Sequence, residues 1–231
     1  VVTSEKEKQI VIDNFDYEPD EVINTGFARW DVLKDKSQNS HDILVMPTWR
    51  SWLEDQSDET FRQSSYYREY AALLNDPKLR EFLHQTHTEL IFYIHPKLRE
   101  YISAFHADDP LIRLIPFGSV PLNQLIMKCS MLITDYSSVS WDVYYLGKPI
   151  LFYQFDLDKY NETNGSYIDM EKDLFGERCL TREELLPKIQ EYYENGFKEK
   201  TAYAEMRKKY LAYHDHNNRR RTYEFIKDQG Y

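Results

Sequence analysis

A small set of polar residues follows short apolar runs in this chain. Arg50 comes after Ile43-Leu44-Val45-Met46, His95 after Leu90-Ile91-Phe92-Tyr93-Ile94, and Asp135, Ser137 and Ser138 after Met131-Leu132-Ile133, with Asp142 one helical turn beyond Ser138. Apolar runs of this length bounded by turn residues read as buried strands, so these side chains fall at strand carboxyl ends. In an open α/β sheet that is the ligand-binding edge. Ser137 and Ser138 open a helix, where free backbone N–H groups and two hydroxyls suit a phosphate or diphosphate. Arg50 could hold the same group by bidentate hydrogen bonds, His95 could act as a general acid or base or as a protonated phosphate donor, and Asp142 could accept from a ribose hydroxyl. Each has a plainer alternative: a helix cap for the serines, a turn for Asp135, a surface ion pair for Arg50, a strand-end histidine held by a backbone carbonyl, and a solvated helix residue for Asp142.

The elements that must carry these residues form an alternating pattern. Residues 131–152 are one βαβ unit, with Gly147-Lys148-Pro149 stopping its helix before Ile150-Leu151-Phe152 begins the next strand. Upstream, Ser4-Glu5-Lys6-Glu7 is a capping box for a helix to about residue 14, and residues 21–26 read as a short strand. Residues 34–41 are polar and read as a loop. Strands are expected at 41–46, 90–94 and 111–115, with helices at 60–74, 77–87, 97–105 and 122–129. After Phe152 comes a loop over 153–176, a short strand at 177–180, and helices at 181–194, 201–213 and 217–228. Four or five strands with intervening helices make a doubly wound parallel sheet, a Rossmann-like α/β fold, because right-handed crossovers place helices on both faces. Residues 1–40 are expected to be an entry segment and interdomain linker, 41–213 a donor-nucleotide-binding domain, and 214–231 a C-terminal helix.

Composition narrows the function. The chain has 231 residues, 29 Lys and Arg against 39 Asp and Glu, and a formal charge of −10, which disfavours non-specific nucleic-acid binding. Seven glycines among many Tyr and Phe suit a packed domain rather than a disordered one. Cys129 and Cys179 lack a partner motif and read as reduced core thiols of a cytosolic protein. No run is long and apolar enough to span a membrane. The chain opens at Val1-Val2-Thr3-Ser4 without a methionine, as an excised piece would.

Other signals are less specific. Asp156-Leu157-Asp158 matches, in letters, the paired aspartates that hold Mn²⁺ or Mg²⁺ in many sugar transferases, yet such pairs are common in acidic chains. His84 and His87 lack a nearby carboxylate ligand for zinc. Arg219-Arg220-Arg221 reads as a solvated or interdomain face, with Arg220 able to pair with Glu224. Nothing calls for a metal or other cofactor. No Gly-x-Ser-x-Gly elbow, P-loop or Gly-rich dinucleotide fingerprint is present.

Taken together, Thr25-Gly26-Phe27-Ala28-Arg29-Trp30-Asp31, Pro47-Thr48-Trp49-Arg50, His95-Pro96, Thr134-Asp135-Tyr136-Ser137-Ser138, Trp141-Asp142 and Gly147-Lys148-Pro149-Ile150-Leu151-Phe152-Tyr153 resemble the CDP-glycerol glycerophosphotransferase family. That resemblance implies the C-terminal, donor-binding half of a GT-B fold, two Rossmann-like domains facing across a cleft. It implies a catalytic role for His95, donor contacts from Arg50, Asp135, Ser137, Ser138 and Asp142, and candidate contacts from Gly26 and Arg29. The implied partners are a CDP-activated polyol donor, a glycan or lipid-linked acceptor, and an N-terminal domain toward which the helix from Asn217 would reach, leaving it poorly supported without that domain. The implied location is cytoplasmic, peripheral at the inner face of the cell membrane. Two departures stand out: the family's Trp-His-Gly-Thr segment is absent, and Asn164-Gly165-Ser166-Tyr167 stands where Arg-Gly-Phe-Tyr is expected. The Thr-Trp-Arg-Ser-Trp-Leu stretch looks more like capsule-associated members. Alternatives are a GT-B sugar transferase or nucleotide-sugar epimerase, and a non-catalytic nucleotide-binding domain.

Overall fold

The computed structural model describes residues 1–38 and 40–230. Six strands, β1 (Ile43–Val45), β2 (Leu90–Tyr93), β3 (Ile112–Ile115), β4 (Met131–Thr134), β5 (Ile150–Tyr153) and β6 (Glu177–Cys179), form one parallel sheet in the order β3-β2-β1-β4-β5-β6. This is the doubly wound order whose direction of winding reverses between β1 and β4. Every strand residue of β1, β2, β4 and β5 is buried, which is why these segments read as unbroken apolar runs rather than alternating ones.

Alternation reappears in which face each side chain takes. Ile43 and Val45 pack with Phe92, Ile133 and Tyr153 on one face, beneath α3 (Ser65–Leu74), α4 (Pro77–Thr86) and α8 (Arg182–Glu194). Leu44 and Met46 pack with Tyr93, Leu132 and Phe152 on the other, against α5 (Leu122–Lys128), α6 (Val139–Tyr145) and α9 (Thr201–Tyr210). Each fully buried large aliphatic contributes about 1.5–3 kcal/mol, so both faces are substantial cores.

Several boundaries differ from the sequence reading. The helix expected over 60–74 breaks at Ser64, whose extended backbone (φ −70°, ψ 152°) ends α2 (Asp58–Gln63) while its hydroxyl accepts from the Tyr67 amide to start α3. The 97–105 helix is a 3₁₀ segment, Pro96–Ala104. The expected strand at 21–26 is reduced to one bridge, Val2 to Asn24. The loop after β5 contains a helix, α7 (Leu157–Thr163). Asn39, inside the loop expected over 34–41, lies outside the described residues.

The first helix, α1 (Glu5–Phe15), starts at the expected capping box: Ser4 Oγ accepts from the Glu7 amide at 3.1 Å, and the Glu7 carboxylate reaches back to the Thr3 amide at 2.6 Å. The last helix, α10 (Asn218–Asp228), is better held than expected. Asp31 accepts from the backbone N–H groups of Asn218 and Arg219 at 2.9 and 2.8 Å, capping its first turn. Gly26 (φ +74°) makes this docking possible, since a Cβ there would lie 2.3 Å from Asn218 Oδ1. Farther along, Tyr223 and Ile226 remain exposed.

Candidate functional site

The carboxyl ends of β1 and β4 meet at the reversal point. Thr134 Oγ1 donates to the Met46 carbonyl at 2.7 Å, and the Thr48 amide donates to Asp135 Oδ1 at 2.8 Å. The edge therefore gathers Arg50, His95, Asp135, Ser137 and Ser138 as the strand assignments expect, but at different depths.

Arg50 and Asp135 lie inside the protein. Arg50 Nη2 donates to Asp135 Oδ2 at 2.9 Å, Nε and Nη2 form a bidentate pair with Asp156 at 2.8 and 2.9 Å, and Nη1 donates to the Thr48 carbonyl at 2.7 Å. Burial opposes the charge, yet Asp135 and Asp156 outweigh it and hold the guanidinium pKa above its usual value. Its plane is surrounded by aromatic rings, with Tyr136 at 4.9 Å and Tyr66 at 5.3 Å. Arg50 is thus neither a surface ion pair nor a group open to a diphosphate. Asp135 is equally occupied, accepting in addition from its neighbour's amide at Tyr136 (2.6 Å) and from the Tyr70 hydroxyl (3.2 Å). These two residues hold the turn; they do not face a ligand.

Asp156 is the residue that the sequence left ambiguous. Its carboxylate is taken by Arg50 and by the Tyr136 hydroxyl at 3.1 Å, so the paired-aspartate metal reading fails on geometry. Among the described residues no group of three or more His, Cys, Asp and Glu side chains is placed to hold a metal. Asp156 instead ties the start of α7 to the serine turn. Tyr136 then stacks on Tyr160 of α7 with ring centroids 3.7 Å apart. Burial pushes the Tyr136 phenol pKa up, with Asp156 and Asp135 adding to it, so the hydroxyl stays a donor.

Ser137 and Ser138 are the groups open to a ligand. Ser137 Oγ accepts from the Val139 amide at 3.3 Å, whereas Ser138 is exposed and makes no side-chain cap. Ser140 and Trp141 donate back to the carbonyls of Ser137 and Ser138, so the amides ahead of them stand outside the ladder of α6. The helix dipole of so short a segment is small; what the turn exposes is the Ser138 hydroxyl and the amides of Ser137 and Ser138.

His95 sits half-buried at the end of β2. Its Nδ1 accepts from the Lys97 amide at 3.2 Å, which places the proton of the neutral ring on Nε2. The ring stacks on Trp49 at 6.3 Å, and Lys97 Nζ lies 4.1 Å from the Trp49 centroid while pairing with Glu54. Burial lowers the His95 pKa below the ordinary imidazole value; Lys97 adds to this, and Asp135 and Glu54 oppose it. The alternative of a ring held by a backbone carbonyl is replaced by a ring held by a backbone amide.

Asp142 does not stand free. Its Oδ1 accepts from Arg29 Nε at 2.9 Å and from the Trp30 indole at 2.6 Å. Arg29 thus reaches the site through Asp142, while Gly26 serves the docking of α10. Lys148, in a motif read only as a helix stop, is buried and donates to the carbonyls of Ile126, Met127 and Cys129 at 3.0, 2.8 and 2.7 Å, closing the C-terminus of α5. Its position between the turn residues Gly147 and Pro149 carried no signal of burial.

The fold is a doubly wound parallel unit of the kind found in GT-B proteins. The chain belongs to the CDP-glycerol:poly(glycerophosphate) glycerophosphotransferase family, whose model matches residues 1–228. It is 31% identical to the minor teichoic acid biosynthesis protein GgaB of Bacillus subtilis (strain 168), covering 98% of this chain and 26% of that protein. It is 28% identical to the teichoic acid glycerol-phosphate transferase of Staphylococcus aureus (strain NCTC 8325 / PS 47), covering 68% of this chain and 41% of that protein. The chain thus spans well under two thirds of these relatives. In fold it is similar to the wall teichoic acid polymerase TagF, with a TM-score of 0.72 at 18% identity over 99% of this chain and 57% of that one. It is also similar to S. aureus MnaA in a co-structure with UDP, with a TM-score of 0.55 at 14% identity over 98% of this chain and 58% of that one.

Proposed function

We propose that this chain is the donor-binding half of a transferase that moves a polyol phosphate from a CDP-activated polyol to a hydroxyl of a glycan or lipid-linked acceptor, in teichoic acid or capsular polysaccharide synthesis. The observation that carries it is the open Ser137-Ser138 turn at the reversal point of the sheet, in a chain of this family. In such a transfer the acceptor hydroxyl gives up its proton to solvent as its oxygen bonds to the β-phosphorus, the bond from that phosphorus to the bridging oxygen breaks, and CMP leaves with the electron pair. The work of the protein is positioning and stabilising charge on the phosphoryl oxygens.

The Ser138 hydroxyl and the backbone amides of Ser137 and Ser138, just ahead of α6, receive the diphosphate. His95, neutral with its hydrogen on Nε2, donates toward the phosphoryl oxygens or the leaving group rather than taking a proton. Asp142, oriented by Arg29 and Trp30, presents its remaining oxygen to the ribose. Arg50, Asp135 and Asp156 position the turn from below. A cleft of this kind needs a second wall, supplied by an N-terminal domain, to place the acceptor. No described helix is long and apolar enough to cross a membrane, and the proposed site of action is the cytoplasmic side, where a lipid-linked acceptor would be met.

Calorimetric titration with CDP-glycerol, CDP-ribitol and UDP-sugars tests this reading. Selective binding of a CDP-polyol supports it; preference for a UDP-sugar would make the chain a sugar transferase or epimerase half, and binding of none would leave a non-catalytic domain. The chain by itself is expected to bind donor without acceptor-dependent CMP release.

A further inference from the structure

Beside the serine turn lies a cavity of about 370 Å³ that the donor phosphates do not explain. Ser138 and Tyr136 form one wall, Phe27, Trp30, Trp141 and Tyr210 lie behind them, and α1 closes the opposite side. Its mouth is made by Phe15 and Tyr167, tilted against each other at 5.3 Å and left 48% and 59% exposed.

The charged groups of this wall are already satisfied. Lys6 pairs with Asp173 at 2.5 Å, and the Glu7 carboxylate takes the Thr3 amide and hydroxyl at 2.6 and 2.7 Å. No cation is aimed into the space, so it does not suit a phosphate; it suits a neutral body with apolar faces and a hydroxylated rim. It is also far roomier than a three-carbon polyol requires. A pyranose ring meets both conditions, because its C–H faces pack on aromatic rings while its hydroxyls remain at the edge, toward the exposed Ser138 and Ser166.

We propose that this aromatic cavity is a subsite for a sugar ring of the acceptor, so that the acceptor is a glycan with a pyranose unit next to the reacting hydroxyl. The inference rests on the reading of Ser137-Ser138 as the diphosphate site, since it is the shared wall at Ser138 that brings a ring hydroxyl to the phosphorus. Ser166, which stands where the family pattern has Phe, lines this cavity, so one of the departures from that pattern falls on this subsite.

The test is saturation-transfer NMR on the full 231-residue chain holding CDP, with methyl β-D-glucopyranoside, methyl β-D-galactopyranoside and methyl N-acetyl-β-D-glucosaminide as probes. At least one glycoside should show ring-proton transfer, and F15A and Y167A, which alter exposed side chains, should each weaken it tenfold or more with CDP affinity unchanged. Glycerol should give no transfer. If CDP binds and no glycoside does, the subsite is refuted while the donor reading stands; if F15A and Y167A weaken CDP itself, the cavity holds the nucleoside and the proposal falls. If CDP does not bind at all, the donor reading fails and the subsite with it.

Discussion

Arg50 and Asp135 meet at 2.9 Å with neither side chain exposed, so the two residues at the ends of β1 and β4 that look most like ligand contacts are partners of each other. The pair sits directly under the serine turn, and Asp156 extends it to α7. Two carboxylates share one guanidinium, and Tyr70 and Tyr136 supply further donors to them. A buried ion pair pays for desolvation only when its remaining lone pairs are satisfied in this way.

Removing the cation should therefore be costly. Arg50→Met leaves Asp135 buried without its partner and should destabilise the fold by about 3–5 kcal/mol, read by urea unfolding. Arg50→Lys keeps the charge but loses the bidentate contact with Asp156, and should recover only part of that loss. A stability loss below about 1 kcal/mol for Arg50→Met would show that the network is incidental to the fold.

The sheet was legible because its strands are buried on both faces, and continuous apolar runs such as Leu90-Ile91-Phe92-Tyr93 have few other readings. The order of residues along the binding edge was legible for the same reason. Depth was not. Arg50 follows Pro47-Thr48-Trp49 at a strand's end, and the aromatic side chains that surround it include Tyr66 of α3, Tyr136 of the serine turn and Tyr160 of α7, from other parts of the sequence. Likewise Asp156 looked like half of a metal motif because its counter-charge lies 106 positions away. The break at Ser64 was hidden by an apolar spacing that continues through it, although the hydroxyl that caps α3 is visible in the letters.

Lys148 should be a stability residue. Lys148→Met keeps the apolar stem but takes the ammonium away from Asp35 and from three carbonyls at the end of α5, of which that of Met127 keeps the Lys36 amide as a donor; with about 1–3 kcal/mol for a buried group left unpaired, and some relief from water, a net loss of about 2–3 kcal/mol is expected in chemical denaturation. Binding of CDP-glycerol by the folded variant should be unaltered. Unchanged unfolding would mean that water replaces the ammonium freely.

Ser138 offers the reverse case. It is exposed and caps nothing with its side chain, so Ser138→Ala should leave the thermal midpoint within about 1 °C, since exposed substitutions away from structural features cost little. If its hydroxyl meets a phosphate oxygen, CDP-glycerol affinity should fall by about 1–2 kcal/mol, the range of a charge-assisted hydrogen bond. Ser137→Ala should do both, weakening the start of α6 through the lost contact to Val139 as well as the ligand contact. Equal affinity of Ser138→Ala and the parent in calorimetry would remove Ser138 from the site.

His95 makes a prediction whose sign can be worked out. Burial, with Lys97, holds its pKa below the ordinary imidazole value of 6.5, so the free protein is neutral there near pH 7. A bound diphosphate places negative charge beside the ring and favours the imidazolium, so the pKa must rise on binding. A site whose pKa rises on binding takes up a proton, and by linkage the affinity must grow as pH falls through the interval between the free and bound pKa values. CDP-glycerol suits the test because its diphosphate is doubly esterified and does not itself titrate in this range. NMR of the His95 ring protons should show the midpoint below 6.5 in the free chain and higher with ligand, and calorimetry should show tighter binding at pH 5.5 than at pH 7.5. In His95→Gln, which keeps an acceptor for the Lys97 amide, the pH dependence should vanish while the fold is retained. A midpoint that does not move on binding would place His95 away from the phosphates and return it to its partners Trp49 and Lys97.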